Sequence, residues 1–136
     1  MKTGDSEHTF RDLSVLFVDD EECISLSIVS VLKRRFGNVY LARDGQAGCD
    51  LFKKHQPDFV LTDILMPIMN GIEMIRCIRE VSLDVPVIVM TALNEEPYLE
   101  ETQKLNIQGY LLKPIDKVEF TELINNIAAD LLKLKK

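Results

Sequence analysis

Phe59-Val60-Leu61-Thr62-Asp63-Ile64-Leu65-Met66-Pro67-Ile68-Met69-Asn70-Gly71 begins as an apolar run that closes on one carboxylate. Pro67 and Asn70-Gly71 then mark a loop, after which a new amphipathic run begins. A short apolar run bounded by turn signals reads as a buried strand. Asp63 therefore stands where a strand opens into a loop. In open α/β sheets, ligands bind beyond the carboxyl ends of the strands.

The arrangement recurs along the chain. Leu13 to Val18 runs into Asp19-Asp20-Glu21-Glu22, Val85 to Met90 runs into Thr91, and Gly109 to Leu112 runs into Lys113-Pro114. As parallel strands, these runs bring an acidic cluster, one carboxylate, one hydroxyl and one ammonium to a single sheet edge. Each polar residue alone is better explained as a helix cap or a solvated loop residue. The set of four is what points to a site.

The remaining elements fit between these strands. Strand 1 is expected over residues 14–18, and helix 1 starts near Asp20 or Glu21. Ile24, Ile28, Val31 and Leu32 form its apolar stripe, Lys33 to Arg35 complement its dipole, and Gly37 stops it. Residues 38–42 read as strand 2. Asp44 caps a second helix that buries Ala47, Leu51 and Phe52 and ends before Pro57. Residues 59–62 are strand 3, and helix 3 starts near Gly71 with Ile72, Met74, Ile75 and Ile78 inward. Strand 4 covers 87–90. The weakest helix, 94–105, has only Tyr98, Leu99 and Leu105 to pack and is therefore the most easily moved. Strand 5 covers 109–112. Helix 5 opens at Asp116, with Glu119 in capping-box spacing, and packs through Phe120, Leu123, Ile124, Ile127 and Leu131. Alternating strands and helices make an α/β fold with a single doubly wound, five-stranded parallel sheet.

The 136 residues suit one domain, and 46 % hydrophobic with 28 % charged residues is an ordinary globular composition. No apolar run is long enough to span a bilayer. Residues 1–12 read as a flexible polar lead-in, 13–132 as the domain and 133–136 as a tail. The net charge of −6 lacks the basic footprint of general nucleic-acid binding or of anchoring to an anionic membrane, and suits a cation site or a basic partner. Cys23, Cys49 and Cys77 are odd in number and widely spaced, without C-x-x-C. The expectation is buried thiols in a reducing compartment, with neither zinc nor disulfide. His8 and His55 lack metal-ligand spacing and read as structural or solvated; His55 suits a helix C-terminus.

Asp19-Asp20, Asp63-Ile64-Leu65-Met66-Pro67 with Met69-Asn70-Gly71, Thr91-Ala92 and Lys113-Pro114, in this order, resemble the receiver domain of two-component response regulators. The likeness covers about residues 13–132. It implies a flavodoxin-like sheet with strand order 2-1-3-4-5, the order of the chemotaxis regulator of this family. It also implies that Asp63 is the phosphoacceptor. Asp20, Asp63 and the Leu65 carbonyl would ligate Mg²⁺ (or Mn²⁺), with Asp19 doing so directly or through water. Lys113 would pair with the phosphoryl group and Thr91 would donate its hydroxyl to it. The Lys113-Pro114 peptide would be cis. Tyr110 would be the switch aromatic, acting with Thr91 on a face made of helix 4, strand 5 and helix 5.

The implied role is a cytoplasmic signalling domain that catalyses only its own phosphorylation and slow dephosphorylation. The donor is a sensor histidine kinase or a histidine phosphotransfer protein. The output is an attached domain or a separate target, without direct contact to nucleic acid or membrane. Phosphorylation-dependent homodimerisation stays open. Leu65 and Leu93 stand where side chains of this family often influence hydrolysis, and leucine cannot hydrogen-bond an attacking water. Three rival readings carry less. An FMN binder would need a phosphate cradle where Asp19 to Glu22 stand. A haloacid-dehalogenase-type phosphohydrolase would need D-x-D in place of Asp19-Asp20, and a cap domain. An interaction-only receiver would not need the full set of side chains.

Overall fold

The computed structural model describes residues 10–92 and 95–135, without the side chains of residues 22–26 and 135. The expectations for His8, for the side chains of Cys23 and Ile24, and for Leu93 fall outside what is described. The elements in order are β1 (Phe10–Val18), α1 (Glu22–Arg35), β2 (Phe36–Ala42), α2 (Gly45–His55), β3 (Phe59–Asp63), α3 (Gly71–Val81), β4 (Val87–Thr91), α4 (Glu96–Gln103), β5 (Gly109–Leu112) and α5 (Lys117–Lys135). All strand pairs are parallel and the sheet order is β2-β1-β3-β4-β5, the doubly wound architecture expected.

β3 and β4 are buried at every residue, as strands covered on both faces must be. On one face, Val15, Phe17, Phe59, Leu61, Ile88 and Met90 pack against Ile28, Val31 and Leu32 of α1 and Phe120, Ile124 and Ala128 of α5. On the other, Leu16, Val18, Val60, Val87 and Val89 meet Cys49 and Phe52 of α2 and Ile72, Met74, Ile75 and Ile78 of α3. The period-two alternation along β1 supplies both layers.

The helix signals act as chemistry requires. The Asp44 carboxylate accepts from Ala47 N at 2.8 Å. Asn70 and Glu73 form a reciprocal capping box at the start of α3. Asp116 Oδ1 accepts from Val118 N at 2.8 Å and caps α5. His55 lies in the last turn of α2, where its ring stacks on Tyr40 with centroids 4.1 Å apart.

Five expectations need correction. β1 starts at Phe10 and α5 runs to Lys135, so residues 10–12 and 133–135 are not lead-in and tail. α1 is ended by Phe36, which turns extended, and Gly37 lies within β2, where a Cβ would strike the Arg11 carbonyl oxygen. The inward face of α2 is Gly45, Gly48, Cys49 and Phe52, with Ala47 and Leu51 only half-buried. The fourth helix is Glu96–Gln103, so Lys104 and Leu105 fall outside it. Cys49 and Cys77 are joined in a disulfide between α2 and α3, with Cα atoms 6.4 Å apart. Their 28-residue separation hid a meeting that only helix packing creates.

Candidate functional site

Parallel register brings the strand ends level. Val18 pairs with Thr62, Asp63 with Met90, and Thr91 with Leu112. Asp63 is the last residue of β3, Asp19 directly follows β1, Thr91 ends β4 and Lys113 directly follows β5. The four expected groups thus share the carboxyl edge of the sheet.

Asp19, Asp20 and Asp63 each present a carboxylate oxygen, all within 4.8 Å of one another. Asp19 and Asp63 are both 2 % exposed, while Asp20 faces solvent. Backbone bonds fix Asp19, whose N–H donates to Ala42 O at 3.1 Å and whose Oδ1 accepts from Glu21 N at 2.9 Å. Its other oxygen, Oδ2, is buried and meets no hydrogen-bond donor among the described residues. The Lys113 ammonium forms an ion pair with Asp63 Oδ1 and lies 3.6 Å from Glu21 Oε1.

Crowding shows in the titration of these groups. Burial, then the side chain of Asp19, push the Asp63 carboxyl up to about 8 against the pull of Lys113. Burial works against the Lys113 ammonium, but Asp63, Asp19 and Glu21 outweigh it and its pKa is raised. A buried oxygen without a donor, inside a cluster of hard carboxylates, is what a divalent cation satisfies. These residues fit such an ion.

The loop after Asp63 is held from both sides. Gly71 N donates to Ile64 O at 2.7 Å, and Gly45 N donates to Met69 O at 2.8 Å. A Cβ at Gly71 would collide with the Asp63 carbonyl oxygen, so glycine lets α3 begin directly against the end of β3. At the loop tip Met69 N donates to Pro67 O at 2.7 Å around Ile68, whose φ is 69°. A β-branched residue there is strained. Leu65 is 42 % exposed beside Asp63.

Thr91 is buried at 4 % exposure, and its hydroxyl donates to Ala92 O at 3.3 Å. Lys113 N donates to Thr91 O at 2.7 Å, which ties the β4 and β5 ends together. The Lys113-Pro114 peptide is cis, as the resemblance implied. Tyr110 lies on β5 away from the acidic cluster, 38 % exposed, with its hydroxyl 2.8 Å from that of Thr102. A cavity of about 550 Å³ opens between α1 and the start of α5; Lys113 lines it and Asp63 does not.

A family model described as the response regulator receiver domain matches residues 15–125. The chain belongs to this family. The receiver domain is 30 % identical over 121 residues to the transcriptional regulatory protein HptR of Staphylococcus aureus, a match covering 87 % of this chain and 47 % of HptR. The chain spans about half the length of the curated relatives it matches. Among solved structures it resembles the receiver domain of AraT, a response regulator from Geobacillus stearothermophilus, at 30 % identity and a TM-score of 0.83 over 91 % of this chain and 98 % of that one. It also resembles the N-terminal domain of an uncharacterized protein from Wolinella succinogenes, at 30 % identity and a TM-score of 0.84 over 89 % and 98 % of the two chains. Receiver domains of response regulators act in two-component signalling, in which phosphorylation with Mg²⁺ is a general feature.

Two side chains near α4 were not singled out by sequence reasoning. Thr102 carried no signal, because a threonine on a short polar helix looks solvated. Arg79 was likewise unmarked, one charged residue near the end of a helix. Its guanidinium instead donates to the carbonyls of Leu105, Val85 and Asn106 at 2.8, 2.8 and 2.7 Å. Burial lowers its pKa, and Asp84 opposes this.

Proposed function

We propose that this receiver domain takes a phosphoryl group on Asp63 from a sensor histidine kinase or a histidine phosphotransfer protein. The observation that carries this reading is the meeting of the Asp19, Asp20 and Asp63 oxygens within 4.8 Å, with the Lys113 ammonium on Asp63. Asp20, Asp63 and the Leu65 carbonyl, with Asp19 directly or through water, would hold Mg²⁺ or Mn²⁺. The ion would relieve carboxylate repulsion and neutralise phosphoryl oxygens. An Asp63 oxygen attacks phosphorus, and the new O–P bond forms as the donor's N–P bond breaks. The electron pair leaves with the imidazole nitrogen. Lys113 shifts from the carboxylate to the phosphoryl oxygens and stabilises their charge.

The added charge of roughly −1.5 to −2 draws the Thr91 hydroxyl toward the phosphoryl group. That movement vacates space under α4, and Tyr110 turns inward to fill it. The α4, β5 and α5 face is the output surface, toward an attached domain, a separate target or a second copy. The place of work is the cytoplasm; no described helix is long and apolar enough to cross a membrane.

Incubation with acetyl phosphate and Mg²⁺ should add one phosphoryl group by intact mass, and Asp63→Asn or chelation of the metal should abolish it. An unlabelled wild-type protein, or label retained in Asp63→Asn, sinks the proposal. We also propose that the phosphorylated form is long-lived, because Leu65 and Leu93 offer no hydrogen bond to an attacking water. Leu65→Asn combined with Leu93→Glu should shorten its half-life in a chase experiment, and an unchanged half-life removes the idea.

A further inference from the structure

α4 buries one residue, and that residue is polar. Thr102 is 0 % exposed and faces β5 with its hydroxyl. The hydroxyl donates to Leu99 O at 2.7 Å, one turn back in the same helix. A threonine hydroxyl has one proton, so the proton is committed to that carbonyl. Tyr110 Oη, 2.8 Å from Thr102 Oγ1, must therefore be the donor between the two hydroxyls. The order is Tyr110 O–H to Thr102 O–H to Leu99 C=O, and it holds the ring against α4 with 38 % of the residue exposed.

We propose that Thr102 is a positioning residue for the switch. Its hydroxyl latches Tyr110 in the outward position and sets part of the free-energy gap that phosphorylation of Asp63 has to overcome. This rests on the receiver reading above. The device suits repeated use. When Tyr110 leaves, Thr102 still donates to Leu99 O, so no buried donor is orphaned. The latch then contributes about one net hydrogen bond to the outward state. That bond shifts a two-state equilibrium measurably without locking it.

The test uses beryllofluoride with Mg²⁺ as the phosphoryl mimic and the whole chain bearing 3-fluorotyrosine. The ¹⁹F signals of Tyr40, Tyr98 and Tyr110 are assigned with Tyr110→Phe. Thr102→Val keeps the shape and removes the hydroxyl. It should shift the Tyr110 signal in the unliganded protein and tighten beryllofluoride binding by about 3- to 10-fold, the worth of one net hydrogen bond. Thr102→Ser should restore both properties toward wild type. In the Tyr110→Phe background the same Thr102→Val change should have no further effect on binding, because the bond is already gone.

An unmoved Tyr110 signal in Thr102→Val overturns the latch. So does an equal effect of Thr102→Val with and without the Tyr110 hydroxyl. If Thr102→Val fails to fold, Tyr110→Phe removes the bond from its exposed end, and unchanged beryllofluoride affinity there overturns the proposal. If wild type binds no beryllofluoride while the Tyr110 signal responds as stated, the receiver reading fails and the contact alone survives.

Discussion

α3 and α4 flank neighbouring strands and are built in opposite ways. α3 has 11 residues, a capping box and four inward apolar side chains, Ile72, Met74, Ile75 and Ile78. α4 has eight residues, no side-chain cap at Glu95 and only Thr102 buried. Besides the Tyr110 contact, α4 is held in part from α3. The Arg76–Glu101 pair at 2.9 Å is half exposed on both sides and is worth little. Arg79 secures the carbonyls of Leu105 and Asn106 just beyond the end of α4. The difference matches the two tasks at the sheet edge. α3 begins against the Asp63 carbonyl and must keep that strand end fixed. Under the proposed switch α4 would yield when charge is added, because little apolar area resists its movement.

The contrast can be broken by experiment. Ile75→Ala should cost about 4 kcal/mol of unfolding free energy in a denaturant titration, as expected for a fully buried isoleucine. Reducing the Cys49–Cys77 disulfide should cost about 3.5 kcal/mol, the chain-entropy worth of a loop of this size. Melts with and without reductant measure it, alongside intact mass for the two added hydrogens. Hydrogen exchange should show that loss in α2 and α3 and leave the α4 amides unchanged. Asn70→Ala should cost about 1 kcal/mol by removing the α3 cap. Leu99→Ala should cost less than about 1 kcal/mol, because its side chain is already part-exposed. Equal losses for Ile75→Ala and Leu99→Ala would show that α4 is as firmly packed as α3.

Much of the site was legible because its information is local. An apolar run ending in Asp63, Thr91 or Lys113 states the strand and its polar terminus together. The cap residue Asp44 satisfies a backbone donor within three positions, whereas Asn70, read only as a turn residue, also caps α3. The inward face of α2 was read one step out of phase because Gly48, which makes no apolar stripe, packs beneath Met74 and Val18. The strained turn at Ile68 was invisible, since isoleucine signals no positive φ.

By itself the sequence determined the order of strands and helices, the five-stranded parallel sheet and the polar residues that end its strands. Each follows from hydrophobic period and turn chemistry within a few residues. Tertiary structure alone decided that Cys49 meets Cys77, that Arg79 gathers the carbonyls of Val85, Leu105 and Asn106, and that Thr102 accepts a hydrogen bond from Tyr110. These contacts depend on how helices seat on a twisted sheet. Side chains far apart in the chain become neighbours only when packing removes both helix faces from water.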